Sequence, residues 1–159
     1  MRSFVAIAAA LLAATLAFGA VAQVPQYGTD INLEQARKLI AAGQAEAKKN
    51  NWPVAIAVVD NHGALVAFEK MDNTQNASIN VAIDKASSSA IYRRPTKVVE
   101  DLVAGGGAGM RMMNLRGMSA VEGGLPIVVG GKIIGGIGVS GVTSAQDGVV
   151  AKAAADTMK

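Results

Sequence analysis

GGLPIVVGGKIIGGIGVSG, residues 123–141, is the stretch whose reading decides the fold. Two apolar segments, Ile127–Val129 and Lys132–Val139, flank the pair Gly130-Gly131. A two-residue Gly-Gly link between β-rich segments predicts a hairpin, because a type I′ turn needs φ > 0 at both central positions. The second segment carries Gly135, Gly136 and Gly138 where a strand would prefer side chains. Glycine there marks a bulge, a bend, or close approach by another backbone or a ligand. The run is therefore expected to form a surface built to accommodate something.

Working outward, the C-terminal side opens with Thr143-Ser144-Ala145-Gln146, a capping box, and predicts a final helix from Ser144 to about Met158. On the N-terminal side, Asn32 with Gln35 forms another capping box. Apolar residues at helical spacing then run from Leu33 to Lys49, and Pro53 bars continuation. Val54–Val59 reads as a central strand, Asp60–Gly63 as a turn, and Leu65–Phe68 as a returning strand. Met71–Thr74 is a polar loop. Helices are expected from Ser78 to near Tyr92 and over Thr96–Ala104, with Pro95 at the first helical position. Gly105–Gly109 reads as a mobile lid or linker, Met110–Leu115 as a helical turn, and Gly117–Val121 as the start of a strand. Val24–Thr29 is an irregular lead-in. Strands grouped in hairpins and helices grouped apart predict an α+β fold with an antiparallel sheet.

The N-terminus is set aside as a leader. Arg2, the apolar run Phe4–Phe18 and the small-x-small Ala20-Val21-Ala22 predict a signal peptide over residues 1–22, cleaved before Gln23. That leaves one domain over residues 23–159, periplasmic or secreted, with no later membrane span. The chain has no cysteine, which excludes disulfides, thiolate nucleophiles and thiolate metal sites. His62 is the single histidine, so no site can use two imidazoles. A net charge of +3 and 4% aromatic residues argue against nucleic acid as a partner.

Several motifs resolve to structural roles. Gly136–Gly141 matches G-x-G-x-x-G, but the chain ends with the following helix, leaving no second strand for a dinucleotide site. Gly105–Gly109 lacks the G-K-[ST] ending of a phosphate loop. Ser87-Ser88-Ser89 reads as small residues permitting close packing, since hydrolase chemistry would need His62 to reach them across the fold. His62 could also serve as an axial haem ligand, a role for which one imidazole suffices. Tyr92, Met71, Met110, Met112 and Met113 are further candidate iron or porphyrin contacts. Lys85, Arg93, Arg94, Arg111 and Arg116 form a loose basic set suited to carboxylates.

The sequence also resembles the GlcG/HbpS-like haem-binding family, once catalogued as a domain of unknown function. The resemblance rests on Ala57-Val58-Val59-Asp60 with Gly63–Phe68, Lys70-Met71-Asp72, Asp84-Lys85-Ala86 and Arg94-Pro95-Thr96. It continues through Gly123–Ile127, Ile134–Gly141 and Gln146-Asp147. The chain departs from the family's pattern at Lys70, Asn73-Thr74 and Val142. The resemblance implies a profilin-like fold, a five-stranded antiparallel sheet flanked by helices, assembled into homo-oligomers. The leading expectation is a non-enzymatic protein that binds a small ligand, haem or a similar molecule, with haem as the cofactor. The pocket is expected between the sheet and the middle helices. Phe68, Met71 and Tyr92 would contact the ligand, Lys85 and Arg94 would pair with its carboxylates, and Glu122, Gly123 and Gly124 would form the rim. His62 is the candidate metal ligand. On this reading Lys85→Ala weakens binding without unfolding the protein. The alternatives are an enzyme acting on a small organic acid through Asp60 or Glu122, or a structural or signalling oligomer with a vestigial pocket.

Overall fold

The computed structural model describes residues 24–159, so the expected leader lies outside the described residues. The chain runs β1 (Gln26–Tyr27), α1 (Leu33–Lys49), β2 (Ala55–Val59), β3 (Leu65–Lys70), α2 (Ser78–Ile91) and α3 (Thr96–Ala104). A 3₁₀ segment (Gly107–Asn114), β4 (Gly124–Val129), β5 (Lys132–Ser140), α4 (Ser144–Ala155) and a last 3₁₀ turn (Asp156–Met158) follow.

The glycine hairpin forms as its sequence dictates. Gly130 and Gly131 have φ of 56° and 74°, and Val129 pairs with Lys132 directly across the turn. β5 then becomes the spine of a five-stranded sheet, with β4 antiparallel along one edge. Along its other edge β2 pairs antiparallel with Gly136–Ser140, and β3 pairs antiparallel with β2.

The sheet is mixed rather than wholly antiparallel, because β1 runs parallel to β5 at Lys132 and Ile133. The five residues of β2 leave that half of β5 uncovered. The incoming chain fills the gap, and the Gly28 and Ile31 amides donate to the Ile133 and Ile134 carbonyls at 2.7 Å. A two-residue strand has no alternation to betray it, so the lead-in read as irregular is partly a strand.

The two faces of the sheet differ in side-chain size. Ile56, Val58, Ile137 and Val139 face α1 and α4, whose Leu39, Ile40, Ala47, Val150 and Ala154 complete the larger core. On the opposite face Ala55, Ala57 and Val59 meet Ala82, Ala86 and Ala90 of α2. Here the strand glycines find their reason. A Cβ at Gly138 would overlap the Ala82 carbonyl oxygen and the Ala86 amide nitrogen, and one at Gly136 would overlap the Ala86 carbonyl oxygen. What the glycine-rich strand accommodates is the backbone of α2, packed closer to the sheet than any side chain permits. The serines follow the same logic: Ser89 donates to the Ala86 carbonyl at 2.8 Å, and the Ser78 and Ser140 hydroxyls meet at 3.0 Å.

Both capping boxes are present, at Asn32–Gln35 and Thr143–Gln146. Pro95 takes the N-cap position of α3 rather than its first helical position. Gly117–Val121 forms no strand. Its Ser119 amide donates to the Ser88 hydroxyl at 2.9 Å, and the Glu122 amide donates to the Glu100 carboxylate. Side chains thus satisfy the backbone that a strand partner would otherwise take. The segment Gly107–Gly109, read as part of a lid or linker, lies in the 3₁₀ segment.

Candidate functional site

Glu122, Gly123 and Gly124 stand at one sheet corner, where the chain turns into β4. Gly123 has φ +125°, and a Cβ there would lie 2.8 Å from Lys85 Nζ and 2.7 Å from the Val139 carbonyl oxygen. Beneath this corner Lys85, only 1% exposed, reaches across from α2. Its ammonium donates to the Val139 carbonyl at 3.0 Å and to Asp147 Oδ2 at 2.9 Å. Asp147 sits in the first turn of α4, where its other oxygen accepts from the Val142 amide at 3.2 Å. Burial pushes the Asp147 carboxyl above its ordinary range, opposed by the Lys85 hydrogen bond and charge. The pair therefore ties α2, β5 and α4 together under the corner.

Above it lies a cleft of about 350 Å³ along the outer edge of β4. Leu125, Pro126 and Val128 form its floor, and Pro95 and Ala155 contribute apolar walls. Lys97, Lys152 and Lys159 stand at its rim with Glu122 and Asp156. Lys152 and Lys159 both ion-pair with Asp156, which holds that carboxyl below its usual range; Lys97 pairs with Asp101.

The remaining expected site residues do not meet here. Tyr92 caps the end of α2, where its hydroxyl donates to the Arg116 carbonyl at 2.7 Å. Arg94 Nε turns back to the Tyr92 carbonyl at 3.1 Å. Phe68 lies on β3, packed on the small-residue face, and Met71 borders a shallow cleft with Trp52 and Asp72. β3 is the sheet edge opposite β4, so Phe68 and Met71 stand apart from the Glu122 corner. Lys85 has Asp147 as its partner, so its removal strands a buried carboxylate, contrary to the expectation of an undisturbed fold. Asp60, a candidate base, accepts from the His62 and Ala64 amides at 2.8 and 2.9 Å and so shapes its own turn.

A second cleft, of about 400 Å³, opens at that turn. It is lined by Tyr27, Gly28, Asp30, Asn61, His62 and Ile91. His62 is exposed, and its ring has no hydrogen-bond partner among the described residues. Asn61 is fixed by Asp30, which accepts its amide at 3.1 Å, and by its own side chain donating to the Gly28 carbonyl at 3.0 Å. Tyr27 donates to the Ala90 and Ile91 carbonyls at 3.1 and 2.9 Å, stapling β1 to the end of α2.

Arg93 stands beside this cleft, its guanidinium over the Tyr27 ring, and has an unusual backbone. The Arg93 amide donates to the Ala90 carbonyl and the Arg94 amide to the Ser89 carbonyl, both at 3.2 Å, which is a Schellman end to α2. The left-handed position of that motif, φ +54°, is occupied by arginine where glycine is favoured. Asn51 and Asn73, the other non-glycine residues with positive φ among the described residues, are of a type that tolerates it. The strain places the Arg93 guanidinium 5.4 Å from the Tyr27 ring centroid. Arg93→Gly should relieve about 1 kcal/mol of backbone strain while losing roughly 0.5 kcal/mol of cation–π attraction. A melting temperature at or above that of the unaltered protein is expected; a clear fall would show that Arg93 is held there for stability.

Sequence reasoning missed Asp147 and Tyr27. Asp147 lies 62 residues from Lys85, and no local pattern announces the pair. Tyr27 belongs to the two-residue strand that had no periodic signal.

Among the described residues no group of three or more His, Asp or Glu could hold a metal ion, and no helix is long and apolar enough to cross a membrane. Comparison with known proteins agrees with this architecture. Protein GlcG of Escherichia coli strain K12 is 46% identical over 110 residues, covering 69% of this chain and 81% of that protein. A double mutant of Streptomyces reticuli HbpS superposes with a TM-score of 0.76 at 27% identity, covering 84% of this chain and 90% of that one. The PduOC:heme complex superposes with a TM-score of 0.74 at 25% identity, covering 82% and 96%. The family model for the haem degrading protein HbpS-like family matches residues 31–156. The chain belongs to that HbpS-like family.

Proposed function

We propose that this protein binds a small ligand, haem or a related tetrapyrrole, at the cleft lined by His62 and Tyr27, beside Arg93. The observation that carries the reading is an exposed imidazole lining one cleft together with Tyr27, over whose ring the guanidinium of a strained arginine lies. Its donor set fits the group. A neutral imidazole is an ordinary axial ligand for haem iron, and a guanidinium matches a propionate in a bidentate pair. Tyr27 and Ile91 add apolar surface beside them. The β4-edge cleft fits less well, since its lining has no imidazole, phenol or thioether to offer an iron. Family membership and likeness to a haem complex support the same ligand class.

In this reading His62 would hold the iron, Arg93 would draw the ligand's carboxylates from beside Tyr27, and Asp60 and Asn61 fix the turn that presents His62. Export by cleavage after Ala22, a periplasmic or secreted location, homo-oligomeric assembly and a profilin-like classification belong to the same proposal. The first two rest on the sequence pattern of residues 1–22.

Haemin titration of the chain lacking residues 1–22, followed in the Soret band, tests the assignment. Saturable binding is expected, with His62→Ala losing the Soret shift. Arg93→Gly should keep the band position and weaken affinity by about fivefold, the worth of one charge-assisted contact of roughly 1 kcal/mol. Superimposable titrations of His62→Ala and the unaltered chain would refute the site.

A further inference from the structure

We propose that the cleft along the outer edge of β4 is a separate site for a small amphipathic carboxylate, its apolar chain on Leu125, Pro126 and Val128 and its carboxylate between Lys152 and Lys159. The proposal does not rest on the haem reading. It begins from the direction of the β4 backbone. Gly123 accepts from the Val139 amide of β5 at 2.9 Å, so its carbonyl faces into the sheet. One residue on, Gly124 faces outward, and its amide bonds the Thr96 hydroxyl at 2.9 Å. Alternation then turns the nitrogen of Pro126 outward as well, and proline has no N–H to offer there. The middle of the edge therefore cannot zip to an added strand, from a peptide or a second copy. A small molecule suits this cleft better than a chain does.

The chemistry of the walls names the ligand class. The floor is apolar, while Lys152 and Lys159 converge from one side and Lys97 stands on the other. Asp156 pairs with both Lys152 and Lys159, whose side chains are 67% and 70% exposed. Ion pairs that exposed are weak, so a ligand carboxylate can share the two ammoniums with Asp156 at little cost. The volume of about 350 Å³ falls in the range of small-ligand pockets. An unbranched medium-chain carboxylate satisfies both features, because the three rim ammoniums outnumber the carboxylates of Glu122 and Asp156 and their excess favours an anion over an amine.

Isothermal titration with octanoate and octylamine is the test. Octanoate is expected to bind saturably and octylamine at least about tenfold more weakly. Lys152→Gln with Lys159→Gln should weaken octanoate by about tenfold, a loss of roughly 1.4 kcal/mol. Ala155→Leu, which fills the wall, should abolish binding, and Lys49→Gln, remote from the cleft, should change nothing. Equal binding of the two probes, no binding of octanoate, or indifference to the lysine pair would overturn the proposal. So would a change in sedimentation caused by Ala155→Leu without octanoate binding, which would make the cleft an interface between copies.

Discussion

Gly138→Ala is expected to lower the melting temperature by about 10 °C or more, or to prevent folding. The added methyl would collide with two backbone atoms of α2, the Ala82 carbonyl oxygen and the Ala86 amide nitrogen. Neither can rotate away, as a side chain would. α2 would have to lift off the sheet, yet it is pinned there by Lys85, which bonds both β5 and α4. The sheet cannot recede either, because Gly138 pairs with Ala57 on one side and Gly124 on the other. Overpacking usually costs 1–3 kcal/mol, and a backbone–backbone collision belongs at about 3 kcal/mol or above. That is a large share of an ordinary stability of about 5–15 kcal/mol. Gly130→Ala is the control: nothing lies within 4 Å of that position, so only its positive φ, a cost of about 1 kcal/mol, opposes the change. Urea denaturation of the two variants gives the comparison. Equal stabilities would mean that α2 does not approach the sheet this closely.

Lys85→Met should destabilise the protein by about 3–5 kcal/mol, because it leaves the Asp147 carboxylate buried and unpaired. The loss should also depend on pH, in a direction fixed by Asp147. Burial already raises this carboxyl, and the contributions of Lys85 that hold it down vanish in the variant. The folded variant then binds a proton that the unfolded chain has released. Its stability therefore falls as pH rises from the ordinary aspartate range, 3.8, through the raised folded value. Denaturant melts at about pH 5 and pH 8 should show the variant closer to the unaltered protein at the lower pH. Adding Asp147→Asn should remove this dependence and recover part of the stability, since an amide has no charge to strand. A variant whose deficit was the same at both pH values would contradict the buried pair.

Much of this fold was legible in the chain because its signals are local. Gly130-Gly131 announces a turn that only glycine enters cheaply, and Asn32–Gln35 and Thr143–Gln146 each satisfy their own helix ends. What stayed hidden depends on partners distant in sequence. Gly136 and Gly138 declare missing side chains, but not whether a ligand or a helix fills the space. β1 exists only because β2 is too short to cover β5. The site was less legible for the same reason: Phe68 and Glu122 were grouped by chemical type, and the strand order puts them at opposite edges. Arg93 looked like one cation among several until its φ of +54° set it apart.

The ligand of this HbpS-like chain is proposed to sit at the His62 turn. Amide chemical-shift mapping with diamagnetic gallium protoporphyrin tests it residue by residue. Saturable shifts are expected, confined to the segments around Tyr27–Gly28, Asn61–Gly63 and Ile91–Arg94. Shifts centred instead on Gly124–Val128 and α4, or none at saturation, would contradict it.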